Sequence, residues 1–195
     1  MIPGWNNFYF LIGSAAASLT GLMFVAISLM SGRDRASALR GIAIYSTPSL
    51  VHFAAVFSSS AVTMIPGLTA REAAVAFGVI AVAGLACAAR SVVGILRAPA
   101  GSGPPHWSDF WLYAGVPAAL YAALIASAPG VWADAAWAAR AMAGLLLTLL
   151  LLGVRNAWDT VTWIAPTRPR VGDAEPAPTP NDGNGVANPP QLSSR

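Results

Sequence analysis

The side chains able to do chemistry fall mainly in two places. The first is a row of polar residues, Tyr45, Ser49, His52, Ser59 and Thr63, set in a segment otherwise built of Ala, Val, Leu and Phe. At 3.6 residues per turn they share roughly one helical face. His52 stands on the order of 15 Å from the end of that segment, at 1.5 Å per residue, close to the middle of a bilayer. A titratable group at that depth marks a functional site by default, because its burial is costly. An imidazole there can pass a proton, bind a ligand or respond to pH. The same pattern fits a neutral histidine satisfied by a neighbouring hydroxyl or carbonyl, and spacing alone does not separate the two.

The second place is "GVRNAWDTVTW". Arg155 and Asp159 stand four apart, the spacing at which opposite charges meet on one helical face. Asn156 lies beside them and Thr162 continues the face. Asp109 and Trp111, from the preceding apolar segment, and Arg90 can join them in a polar site at one membrane surface. The simpler alternative is a local ion pair that anchors the chain among lipid headgroups, with Arg90 snorkelling on its own.

The sequence carries no sign of catalysis. Ser58, Ser59 and Ser60 lie near His52, but no GxSxG turn, third orienting group or oxyanion signature accompanies them. "GSGPP" is not a dinucleotide loop, and there is no GxxxxGK[ST], HExxH, CxxC or CxxCH. The single cysteine, Cys87, excludes an intramolecular disulfide, and with the second histidine, His106, in a connecting segment no metal set is expected. The expectation is a non-enzyme without metal or cofactor.

The elements that position these residues follow from composition. Of 195 residues 56% are hydrophobic and 10% charged, less than half the charged share of soluble domains. Five apolar windows near 8–30, 41–65, 73–96, 110–128 and 137–156 are long enough to span a bilayer as helices. Pro48 predicts a kink in the second. The fold class is therefore an all-α polytopic bundle over residues 1–165. The remaining residues, 166–195, hold seven prolines and almost no large apolar side chains, which predicts a disordered tail.

All eleven basic residues are arginine. With the N-terminus outside, Arg33, Arg35, Arg40, Arg90, Arg97, Arg155, Arg168, Arg170 and Arg195 fall inside and only Arg71 and Arg140 outside, so the bias predicts N-out, C-in. Alanine-rich, lysine-free usage suggests a GC-rich bacterial genome and hence the bacterial inner membrane. The seven tryptophans all fall near span ends, where amphipathic rings prefer the interface. The arginines form no continuous basic patch, which argues against nucleic acid as a partner. The lipid bilayer is the first expected partner.

In the first span Gly13, Ala17 and Gly21 repeat every four residues, with Ser14 and Ser18 beside them. Small residues at this spacing let a second helix approach closely. That helix belongs either to the same chain or to a partner, another copy or a different membrane protein. The expected function is an accessory or regulatory membrane component acting through helix–helix contacts. The alternative is a small oligomeric transporter, channel or ligand or pH sensor built on the stripe around His52.

Three stretches, "FLIGSAAASLTGLMFVAISLM", "STPSLVHF" and "GVRNAWDTVTWIA", together resemble a family of small bacterial integral membrane proteins of unknown function. These share an FVAxSL-like first span, a TPxxVHF-like second span and an RNAWDxVTW-like end. The resemblance covers about residues 1–165. It implies the same membrane architecture and singles out Thr47, Pro48, His52, Phe53, Arg155, Asn156, Trp158 and Asp159, without implying an activity.

Overall fold

The computed structural model describes residues 4–29, 47–96 and 110–164, and every structural statement below concerns these. Tyr45, His106, Trp107, Asp109 and the tail expected to be disordered lie outside the described residues.

All the described elements are helices. They are α1 (Asn6–Leu29), α2 (Thr47–Thr63), α3 (Ala70–Leu96), a π-helical turn (Trp111–Gly115) that runs into α4 (Val116–Trp132), and α5 (Ala136–Ile164). Four of the helical segments, Asn6–Ser28, Ala70–Val93, Trp111–Trp132 and Ala136–Asp159, are long and apolar enough to cross a membrane. The described part of α2 has 17 residues, about 25 Å of helix against a hydrocarbon core of about 30 Å.

Two helices run past the spans expected of them. The fourth continues beyond 128, through Pro129 to Trp132, because a proline in the last turn forfeits only one backbone bond. The fifth continues beyond 156 to Ile164, carrying Arg155 and Asp159 on regular helix. Pro48 lies in the first described turn of α2, so the segment on its N-terminal side, where a kink would show, is outside the described residues.

Local chemistry fixes the short connections. Before α3, Thr69 Oγ1 accepts from the Glu72 backbone N–H (3.3 Å), while Glu72 Oε2 accepts from the Thr69 N–H (2.9 Å) and hydroxyl (2.7 Å). This reciprocal box satisfies donors that the helix start leaves open. After α4, the Ala135 N–H donates to Gly130 O (2.9 Å) and the Asp134 N–H to Val131 O (3.0 Å). These are the two bonds of a Schellman ending, with Asp134 in the left-handed position at φ 52°.

One cavity is lined by Trp5, Tyr9, Thr63, Ala73, Val131 and Ala138 among others, so the starts of α1, α3 and α5 and the ends of α2 and α4 share one end of the bundle. Successive helices therefore alternate in direction. Arg71 belongs to this end and lies 5.4 Å from the Trp132 ring centroid, a cation–π contact that holds an arginine beside an interfacial ring.

The centre of the bundle is α2, which packs on α1, α3 and α5. It buries Ser49, His52, Phe53, Val56, Ser59 and Ser60. Hydrocarbon solvates a hydroxyl or an imidazole poorly, so the helix richest in them is enclosed by its apolar neighbours. Glycines permit the close approach. A Cβ at Gly13 of α1 would stand 2.7 Å from Ser60 Cβ, one at Gly153 of α5 would stand 2.6 Å from the Phe53 ring, and one at Gly84 of α3 would fall on the Tyr121 ring.

Candidate functional site

Two polar centres emerge. The first is at His52, which is 2% exposed. Its Nδ1 lies 3.0 Å from the Tyr121 hydroxyl of α4, and the rings are tilted 44° with centroids 5.7 Å apart. Tyr121 is fully buried, and Gly84 supplies the space for its ring. The His52 Nε2 has no hydrogen-bond partner, nor do the hydroxyls of Ser49 and Ser60. Ser49 lies one turn from His52 on the same helix. Ser60 is eight residues away, about 12 Å along the axis, and packs against Gly13. Ser59 is buried on the same helix. Thr63 bonds its own helix at Ser60 O (2.7 Å). A neutral imidazole with one nitrogen bonded to a hydroxyl keeps a second nitrogen able to donate or accept, according to its tautomer.

The second centre joins the π-helical turn to the end of α5. The Val116 N–H donates to Trp111 O, five residues back, rather than to Leu112 O. Residue 117 is proline and offers no N–H, so Leu112 O has no backbone donor in either the α or the π pattern. Asn156 Nδ2 lies 3.4 Å from that oxygen. One turn on, Asp159 Oδ2 accepts from Arg155 Nη1 at 2.7 Å and from the Tyr113 hydroxyl at 3.4 Å. Arg155 and Asp159 remain 47% and 37% exposed, whereas Asn156 is fully buried.

Of the residues expected at this surface, the structure unites Arg155, Asn156 and Asp159. Trp111 is exposed and packs on its own Gly115, where a Cβ would stand 2.6 Å from its ring. Arg90 is exposed near the end of α3. The sequence reading missed Tyr113 and Tyr121. The signal was available: both lie inside an apolar span, and a tyrosine hydroxyl buried there needs a partner.

The packing trio of α1 is divided. Gly13 is internal, against Ser60, while Ala17 and Gly21 are exposed and nothing lies within 4 Å of a Cβ at Gly21. Each four-residue step turns a helix about 40° further round, so Gly21 is rotated about 80° from Gly13. A contact made at Gly13 is therefore lost by Gly21.

Among the described residues no three of His, Cys, Asp and Glu converge on a point that could hold a metal ion. No protein-family model, curated protein or solved structure matches this chain.

Proposed function

We propose that this protein is a non-enzymatic accessory or regulatory component of a bacterial inner membrane, with its N-terminus outside, that acts by lateral contact through α1. One observation carries the reading. The inward face of α1 is Tyr9, Ile12, Gly13, Ala16 and Met23, while Ser14, Ala17, Ser18 and Gly21 are exposed. These four positions run i, i+3, i+4 and i+7, a single face of the helix. Large exposed side chains, Phe10 and Leu11 above and Phe24 and Val25 below, border a shallow small-residue strip. Ser18 Oγ donates to Ser14 O (3.0 Å), so its hydroxyl proton is already satisfied within the helix. In lipid, close backbone approach and dispersion contact are the main forces available to join helices, and this strip offers both. The arginine bias supports the orientation.

A photo-crosslinking residue placed at 17 or 21 tests the reading in native membranes. Discrete adducts from both sites, and none from Val79 of α3, which is also exposed, are expected. Adducts that arise equally from Val79, or none from 17 and 21, refute it.

A second reading, a transporter or sensor, is favoured by the unpartnered His52 Nε2. Proton or solute flux in proteoliposomes that falls with His52→Ala supports it, and flux indifferent to that change removes it.

A further inference from the structure

A groove of about 580 Å³ runs between α4 and α5, walled chiefly by Ala123 and Ala126 of α4 and by Trp137, Arg140, Ala141 and Gly144 of α5. It is open along one side, where Ala126, Trp137, Arg140 and Gly144 are exposed. At one end the Trp137 ring lies against Gly130, where a Cβ would stand 2.5 Å from it. Toward the other end nothing lies within 4 Å of a Cβ at Gly144, so the groove continues there as a slot. Ser127 is buried in its floor, with its hydroxyl engaged by Leu124 O (2.8 Å) and Met142 Sδ (3.0 Å). The floor therefore offers an occupant apolar surface and no spare hydroxyl proton.

Arg140 is the charged member of this lining. It is exposed and has no hydrogen-bond or ion-pair partner among the described residues. It stands about 6 Å along the axis from Ala136, where α5 begins. Side chains lean toward the start of their own helix, so the guanidinium reaches back toward the level of Trp137. Gly144, one turn further on, leaves the space beneath it open. Trp132 and Trp137 are 49% and 54% exposed at this end, the depth at which amphipathic rings meet the membrane interface. A cation at headgroup depth thus stands over an apolar slot that leads into the hydrocarbon.

We propose that this groove seats one anionic phospholipid, with its phosphate on Arg140 and part of one acyl chain in the slot over Ala141 and Gly144. A guanidinium offers a planar fork of donors that fits two phosphate oxygens at once. A zwitterionic lipid brings its own ammonium, which competes for that phosphate, so a lipid of net negative charge is the better countercharge. The volume far exceeds that of an ion and falls in the range of pockets that hold a molecule of many atoms. A partner helix fits less well, because it would cover Arg140 and strip it of water without supplying a countercharge.

The test is a lipid titration of the full chain in a neutral detergent, read by native mass spectrometry as the first bound lipid. The titrants are phosphatidylglycerol and phosphatidylethanolamine with the same acyl chains. The wild type is expected to take up phosphatidylglycerol at the lower concentration. Arg140→Gln should raise its half-saturating concentration about tenfold and remove the preference between the two lipids. Gly144→Leu fills the slot and should weaken uptake of phosphatidylglycerol with Arg140 still in place. Arg71→Gln alters an arginine at the same end of the bundle that does not line the groove, and should leave uptake unchanged. Residues 140 and 144 are exposed, so the thermal midpoints of both variants should match the wild type, which separates lost binding from lost folding. Equal uptake of the two lipids by the wild type, no effect of Arg140→Gln or of Gly144→Leu, or an equal effect of Arg71→Gln would overturn the proposal.

Discussion

The two polar centres join the bundle in opposite ways. His52 and Tyr121 are 69 residues apart, buried, and bridge α2 to α4 with one neutral contact. Arg155 and Asp159 are four apart, carry full charges, and remain 47% and 37% exposed on a single helix. The charged pair has the shorter contact, 2.7 Å against 3.0 Å, yet it holds less of the fold. An exposed ion pair on one helix is screened and competes with water and headgroups, whereas a buried polar group that loses its partner bears the full cost of desolvation. Close packing amplifies the difference, because the Tyr121 ring fills the space that Gly84 leaves.

The contrast can be broken in graded steps, read by reversible unfolding in mixed micelles. Gly84→Val should have the largest effect, a loss of about 3 kcal/mol or more, since its Cβ falls on the Tyr121 ring and the core has no room to yield. His52→Ala should lose about 2 kcal/mol, combining a cavity with an orphaned tyrosine hydroxyl. Tyr121→Phe should lose about 1 kcal/mol, and the double-mutant cycle of the two should give a coupling of ~0.5–1.5 kcal/mol. Coupling near zero would show that His52 and Tyr121 are merely neighbours. Arg155→Ala should change stability by ~0.5 kcal/mol or less. If it matched His52→Ala, the ordering of the two centres would be reversed.

A parallel contrast exists within α1. Gly13→Leu should unfold or distort the bundle, because Ser60 already occupies the space beside it. Gly21→Leu should leave the unfolding midpoint within ~0.5 kcal/mol of wild type, because nothing lies within 4 Å.

What could be read from the sequence was what lies within one helix. Apolar windows long enough to cross a bilayer announced the helices, and the Arg155–Asp159 pair was evident because its partners share a turn. The partner of His52 was hidden, since residues 69 apart meet only once α3 and α5, against which both α2 and α4 pack, bring the two helices together. The π-helical turn escaped for a related reason. Pro117 on its own predicts a missing donor, but the carbonyl left open is matched by Asn156 from another helix. The extension of α4 through Pro129 could not be read in advance, because a Pro-Gly pair usually marks a turn; here Gly130 lets Trp137 pack close, a Cβ there standing 2.5 Å from its ring. The α1 trio was taken as one stripe because a four-residue repeat looks straight in the sequence, whereas on a helix it winds.

The central claim is that the outward strip of α1 holds a partner. Its most direct test is the native mass of the particle purified gently from membranes at normal expression, for the wild type and for Gly21→Leu, with the components identified by quantitative mass spectrometry. The account predicts a wild-type particle heavier than one chain, containing a stoichiometric second protein or copy, and a Gly21→Leu particle that is folded but reduced to a single chain. A wild-type protein that is already a lone chain, or a Gly21→Leu particle of unchanged mass and composition, would contradict it.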